Sequence, residues 1–200
     1  MKTVNKDKVC DEFITSIDEI KKYVEKSKEL FSENKLFLSF NYENAIIMLY
    51  RSFERFALRI MISCLNHNHH VFEEKNNIKL GSHINDDICE FLITKGGYFD
   101  FKGRDGLCKI LSTTIGADHK LAKVFKKTAY KDSIEQLCTI RNYAAHNSEQ
   151  SKKAAAKAFG LKRISSAGSC LKKNSRFEAI ASKLIDLAND IKNIKDTSME

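Results

Sequence analysis

A chain of 200 residues can bury one substantial core, and with no proline to interrupt it an all-helical fold is the first expectation. No apolar run approaches the ~18–20 residues that a membrane span requires, which excludes a spanning helix; the opening MKTVNKDKVCDEF has no apolar core, which argues against a signal peptide. The net charge is +8, and the whole excess lies between Gln150 and Phe177, where Lys152, Lys153, Lys157, Lys162, Arg163, Lys172, Lys173 and Arg176 stand without a single Asp or Glu.

In chain order, the first predicted helix runs over Val9–Phe31, with Phe13, Ile17, Ile20, Val24 and Leu30 at helical spacing. Asn41 is placed to cap a second, strongly apolar helix reaching about Leu65. The polar stretch Asn66-His67-Asn68-His69-His70 reads as a helix-end loop. Ser82 is placed to cap a helix ending near Thr94, with Gly96-Gly97 as its stop. After a glycine-rich loop, short helices are expected at 105–115 and 119–129. Asp132 and Glu135 have the spacing of a capping box that opens the next helix, which ends around His146, with Asn147 in the left-handed conformation. Ser148 caps a helix over 149–159 that Gly160 closes. Ser165–Ser169 is a small-residue turn, and Ser175 and Glu178 form a second capping box for a final helix to about Ile194. The expected fold is all-α: a compact bundle of about five to eight helices in one domain over 1–200, its core at about 7–192 and the basic segment 150–177 inserted before the last helix. Six cysteines, Cys10, Cys64, Cys89, Cys108, Cys138 and Cys170, occur singly, never as Cys-x-x-Cys, which suits reduced thiols in a cytoplasmic protein.

The most informative residues are Arg141-Asn142-Tyr143-Ala144-Ala145-His146. Arginine clamps a phosphate through paired hydrogen bonds. Histidine moves protons near neutral pH. Asparagine between them can orient either. Helical periodicity puts Ile134, Leu137, Cys138, Arg141, Ala144 and Ala145 on one stripe. A charge on such a stripe requires a partner. Glu54, on the Ile47-Tyr50-Glu54-Ala57-Leu58-Met61 stripe of the second helix, is the candidate. Asn142 and His146 share a face about 40° wide, but Arg141 and His146 are about 140° apart on an ideal helix. Three arrangements would unite them: a helix that loosens before His146, an arginine that reaches around, or a second subunit that completes the site. The basic segment begins just after His146, and a positive field there favours an anionic polymer as partner.

Arg-Asn-x-x-Ala-His near the end of a helix resembles the HEPN superfamily, whose signature is Arg-x(4–6)-His with asparagine commonly following the arginine. The long apolar second helix bearing Glu54 is similar as well, and the resemblance covers about residues 7–192. It departs in its long basic segment, where compact members have a short connection. The resemblance implies a homodimer whose paired motif helices form one composite site for metal-independent RNA cleavage, with no cofactor and no metal. Family members occur as toxins, in phage defence and in RNA processing, so an antitoxin or regulatory protein is a further expected partner. On this reading the RNA 2′-OH attacks its own phosphate, giving a 2′,3′-cyclic phosphate and a 5′-OH. His146 serves as general base or acid, and Arg141 holds the phosphate and its developing charge. Asn142 orients His146 or the phosphate, Glu54 supports Arg141, and Lys152, Lys153, Lys172, Lys173 and Arg176 bind the RNA backbone. DNA lacks the nucleophile. The alternative is a catalytically silent HEPN-like module that binds RNA, nucleotide or protein; a third reading is an unrelated helical adaptor in which Arg141 and Glu54 are structural.

Other signals carry less. His67, His69 and His70 have no Cys or carboxylate at ligand spacing, so no metal site is expected. Arg51, Arg55 and Arg59 form a four-spaced ridge expected to face solvent. Ser165–Ser169 is expected to be a plain turn rather than a phosphate cradle, there is no Walker-type loop, and His83 and His119 are given no chemical role.

Overall fold

The computed structural model describes residues 4–82 and 84–194, so His83 lies outside the described residues. Among these the protein is all-α, with ten α-helices and one 3₁₀ turn. They are α1 (Lys6–Leu30), α2 (Lys35–His67), α3 (His70–Asn76), α4 (Asp86–Thr94), α5 (Gly103–Thr114), α6 (Lys120–Lys126), α7 (Thr128–His146), α8 (Glu149–Ala158), α9 (Ala167–Leu171) and α10 (Arg176–Lys192), with the 3₁₀ turn at Lys173–Ser175. The count exceeds the expected five to eight because α3 and α9 form where a loop and a turn were expected. The chain divides into two compact units. The described part of the first spans 4–13, 53–82, 84–127 and 187–194; the second spans 14–52 and 128–186.

The first unit is built on aromatic packing. Phe13 stacks on Phe56 with ring centroids 4.3 Å apart, and Phe53 meets Phe101 edge-on at 5.7 Å. A satellite cluster gathers Ile62, Leu65, Phe72, Ile84 and Cys89, with Leu58, Leu80 and Leu92 against it. Asn5 starts α1 earlier than expected, because its side chain accepts the amide of Lys8 at 2.9 Å. Lys6 is buried and its ammonium donates to the carbonyls of Lys192 at 2.9 Å and Ile194 at 2.7 Å, satisfying the open end of α10. Asn85, not Ser82, caps α4 by accepting the amide of Ile88 at 2.8 Å. That helix stops as expected before Gly96, with Lys95 already left-handed at φ 56°. Burial pushes the thiol pKa values of Cys10, Cys64 and Cys89 up to about 12, and none of the six cysteines is in a disulfide.

In the second unit Ile17, Ile20 and Val24 of α1 are buried, as are Tyr42, Ile46, Leu49 and Tyr50 of α2. Leu30 departs from the expected stripe and is 71% exposed, because α1 ends there. Asn34, rather than Asn41, starts α2 by accepting the amide of Phe37 at 3.0 Å. Asn41 is inside the helix, where it donates to the carbonyl of Phe37 and accepts from the Tyr23 hydroxyl. Asp132 and Glu135 also fall inside a helix, since the extended backbone of Lys127 already separates α6 from α7. Glu178 pairs with Lys28 at 2.8 Å. Burial opposes the charge on Lys28, yet the hydrogen bonds it donates to Glu178 and Glu25 hold its pKa above the ordinary lysine value.

Two backbones meet closely at Gly168. A Cβ there would lie 1.9 Å from the carbonyl oxygen of Ser39, so α9 can pack on α2 only with glycine at this position. Glu43 accepts the amide of Gly168 at 3.0 Å, and the hydroxyls of Ser39 and Ser166 share a hydrogen bond at 2.9 Å. Gly168→Ala is expected to destabilise the protein by ~1–3 kcal/mol or more, the usual cost of overpacking. A lowered urea midpoint with an unchanged m-value would show this; an unaltered midpoint would mean that α9 shifts freely.

Candidate functional site

Local chemistry ends the motif helix as expected. Asn147 takes φ 45° and its amide returns to the carbonyl of Tyr143 at 2.9 Å. Ser148 then caps α8 by accepting the amide of Ser151 at 3.1 Å, and Gly160 closes α8 at φ 63°. α7 is unbroken through His146. The helix therefore does not loosen to bring Arg141 and His146 onto one face, and the other two arrangements remain.

The buried face of α7 is Tyr130, Ile134, Leu137, Cys138, Ile140 and Tyr143. In its last turns it is rotated from the expected stripe: Arg141 and Ala144 are half-buried and Ala145 is exposed. The cause is the chain that follows. α8 and α9 both pack on α7, the Tyr143 hydroxyl donates to the carbonyl of Ser165 at 3.0 Å, and Gln136 donates to the carbonyl of Ala158 at 3.2 Å.

Arg141 thus sits at the border of core and solvent. Its Cζ lies 4.1 Å from the centroid of the Tyr50 ring, and Tyr50 is only 3% exposed. Its Nη1 donates to Oδ1 of Asn142 at 2.8 Å. These contacts hold the guanidinium without neutralising it, since one partner is a ring and the other an amide. Asn142 and His146 are both exposed. Such an arrangement offers a fixed cation and, at the end of the same helix, a solvent-accessible imidazole. Glu54 lies one turn beyond Tyr50 on α2, half-buried, within the first unit. The Tyr50 contact is not legible in the sequence; its one signal there is an aromatic ring on the same α2 stripe as Glu54.

The basic segment proves largely ordered in helices. Lys152 is half-buried and lies 3.5 Å from Glu149, while Lys153 is exposed on α8. Lys172 is half-buried after α9, and Lys173 is exposed in the 3₁₀ turn. Arg176 serves the fold, donating to the carbonyl of Cys170 at 3.1 Å with its Cζ 5.7 Å from the Phe159 ring centroid. Ser166 caps α9, so the expected turn at Ser165–Ser169 is in large part a helix start, and the Gly168 amide there is already taken by Glu43.

Other candidates resolve into structural roles. His119 caps α6 through Nδ1, which accepts the amide of Leu121 at 3.2 Å. His67 bonds the carbonyl of Ser63 at 2.7 Å, and among the described residues no cluster of His, Cys, Asp or Glu forms a metal site. Arg51 and Arg55 are exposed, whereas Arg59 pairs with Glu12. The first unit holds a cavity of about 480 Å³ whose walls include Cys64, Val71, Lys75, Ile115 and His119; no motif residue lines it. No helix among the described residues is long and apolar enough to cross a membrane. The chain matches no family model, no curated protein and no solved structure.

Proposed function

We propose that this chain is a metal-independent endoribonuclease of HEPN type, acting as a homodimer in the cytoplasm, with a role as a toxin or phage-defence effector under the control of an antitoxin or regulatory protein. The observation that carries the reading is the state of Arg141: a guanidinium held by Tyr50 and Asn142 but not neutralised by either, on the helix that ends in an exposed His146. A cation fixed in this way suits a phosphodiester, whose charge grows as the 2′-OH attacks. His146 takes the proton of the 2′-OH or delivers one to the leaving 5′-oxygen. Asn142 orients the arginine. Neither step uses a metal.

The test is incubation of purified protein with total RNA, with and without EDTA. Cleavage in both, with 2′,3′-cyclic phosphate and 5′-OH ends and with DNA left intact, is the expected result. RNA binding without cleavage would instead identify a silent binding module.

The basic segment supplies the backbone contacts in this proposal. Arg176 is engaged within the fold, so Lys153, Lys172 and Lys173 are the residues to change. Their joint replacement by Gln is expected to flatten the slope of log K against log salt by ~2–3 units for single-stranded RNA. An unchanged slope would make this segment a solvated surface.

A further inference from the structure

We propose that Tyr50 is a positioning residue for the reaction, the platform that fixes the guanidinium of Arg141 for its phosphate; this rests on the reading of Arg141 given above. An arginine on a helix surface has many rotamers, and a clamp that must first be ordered loses much of its value in the transition state. Here two contacts order it. The Tyr50 ring lies 4.1 Å from Cζ, inside the ~6 Å range of a cation–π contact. The ring is itself enclosed, because Tyr50 is 3% exposed and sits within the long helix α2. The Asn142 amide then takes one N–H from Nη1 at 2.8 Å and limits rotation of the guanidinium.

The division of labour leaves the arginine usable. Cζ carries no N–H, so the ring contact spends none of the five donors. Asn142 occupies one of them. A carboxylate partner would fix the side chain equally well, but it would also cancel the charge that a phosphate needs. A ring holds the cation while preserving its charge, and it removes water from one side, which strengthens the attraction for an anion approaching from the other.

The test is a series at position 50 that changes the ring's electrostatics and hardly its shape: Tyr50→Phe, then singly and multiply ring-fluorinated phenylalanines in the same place. Fluorine withdraws the negative potential of the ring face on which cation–π attraction depends. Cleavage of a short RNA is followed for kcat and KM, with thermal unfolding as a check on each variant. Tyr50→Phe is expected to retain activity. Progressive fluorination is expected to lower kcat stepwise, by roughly 2- to 30-fold in all, the rate equivalent of one such contact. The same series with Arg141→Ala present should show no dependence on fluorination, because the partner is gone. A purely structural ring would shift unfolding temperature without this coupling. If kcat is flat across the series while Arg141→Ala still lowers cleavage by ~10²–10⁴-fold, Tyr50 has no positioning role and the nuclease reading stands. If Arg141→Ala and His146→Ala both remain active, that reading itself fails, and the positioning role falls with it.

Discussion

Replacing His146 by alanine is expected to lower RNA cleavage by ~10²–10⁴-fold, the usual worth of a general acid–base group. The side chain is exposed at the end of α7, so its loss should leave unfolding almost unchanged. Arg141→Ala is expected to lose a comparable factor through the missing charge clamp. The two losses should not multiply, since both residues act on one phosphate. Arg141→Lys should fail as well. An ammonium cannot make the two parallel hydrogen bonds of a guanidinium, and it has no planar group to lay on Tyr50. The measurement is single-turnover cleavage of a defined RNA in EDTA, with protein purified alongside the wild type. Full activity of His146→Ala would end the catalytic proposal.

What the sequence discloses here is what local chemistry determines. Asn147, Ser148 and Gly160 stand where the structure needs a left-handed residue, a side-chain acceptor and a closing glycine, and each decision involves neighbours a few residues away. The helix starts that differ from expectation depend on other parts of the chain. Asn41 looks like a cap in sequence, but the Tyr23 hydroxyl on another helix offers it a partner inside α2. Glu178 has the spacing of a capping box, but Lys28 takes its carboxylate. α9 is hidden for the same reason: a five-residue segment with Gly168, Ser169 and Cys170 at its centre has little helical preference of its own, and the backbone approach at Ser39 with the Glu43 carboxylate is what holds it. At the candidate site the same division holds. The six-residue motif and its place at a helix end were legible. The rotation of the helix face was not, because it is set by α8 and α9 packing beside Tyr143. The ring beneath Arg141 was not legible either, because nothing in a stripe of apolar residues says which of them will face a guanidinium.

A mixture of two inactive variants is expected to recover activity. Arg141 and His146 are five residues apart on a helix that stays regular to its end, so about 140° separates their directions. Arg141 is, moreover, held back against Tyr50 and Asn142 rather than extended around the helix. One chain is therefore poorly built to aim both groups at one phosphate. A second copy related by a two-fold axis near the exposed Ala145 and His146 would bring its own motif opposite the first, and small alanine side chains permit that approach. If the arginine of one chain serves the histidine of the other, a mixed dimer of Arg141→Ala with His146→Ala holds one intact pair. Unfolding and refolding the two together should then restore roughly a quarter of wild-type activity, since half of the dimers are mixed and each has one working site of two. Two independent sites, each within a single chain, predict no recovery at all. A mixture no more active than its parents, together with a wild type that is monomeric by light scattering at tens of micromolar and still cleaves RNA, would sink the composite site and leave the arginine to reach around the helix alone.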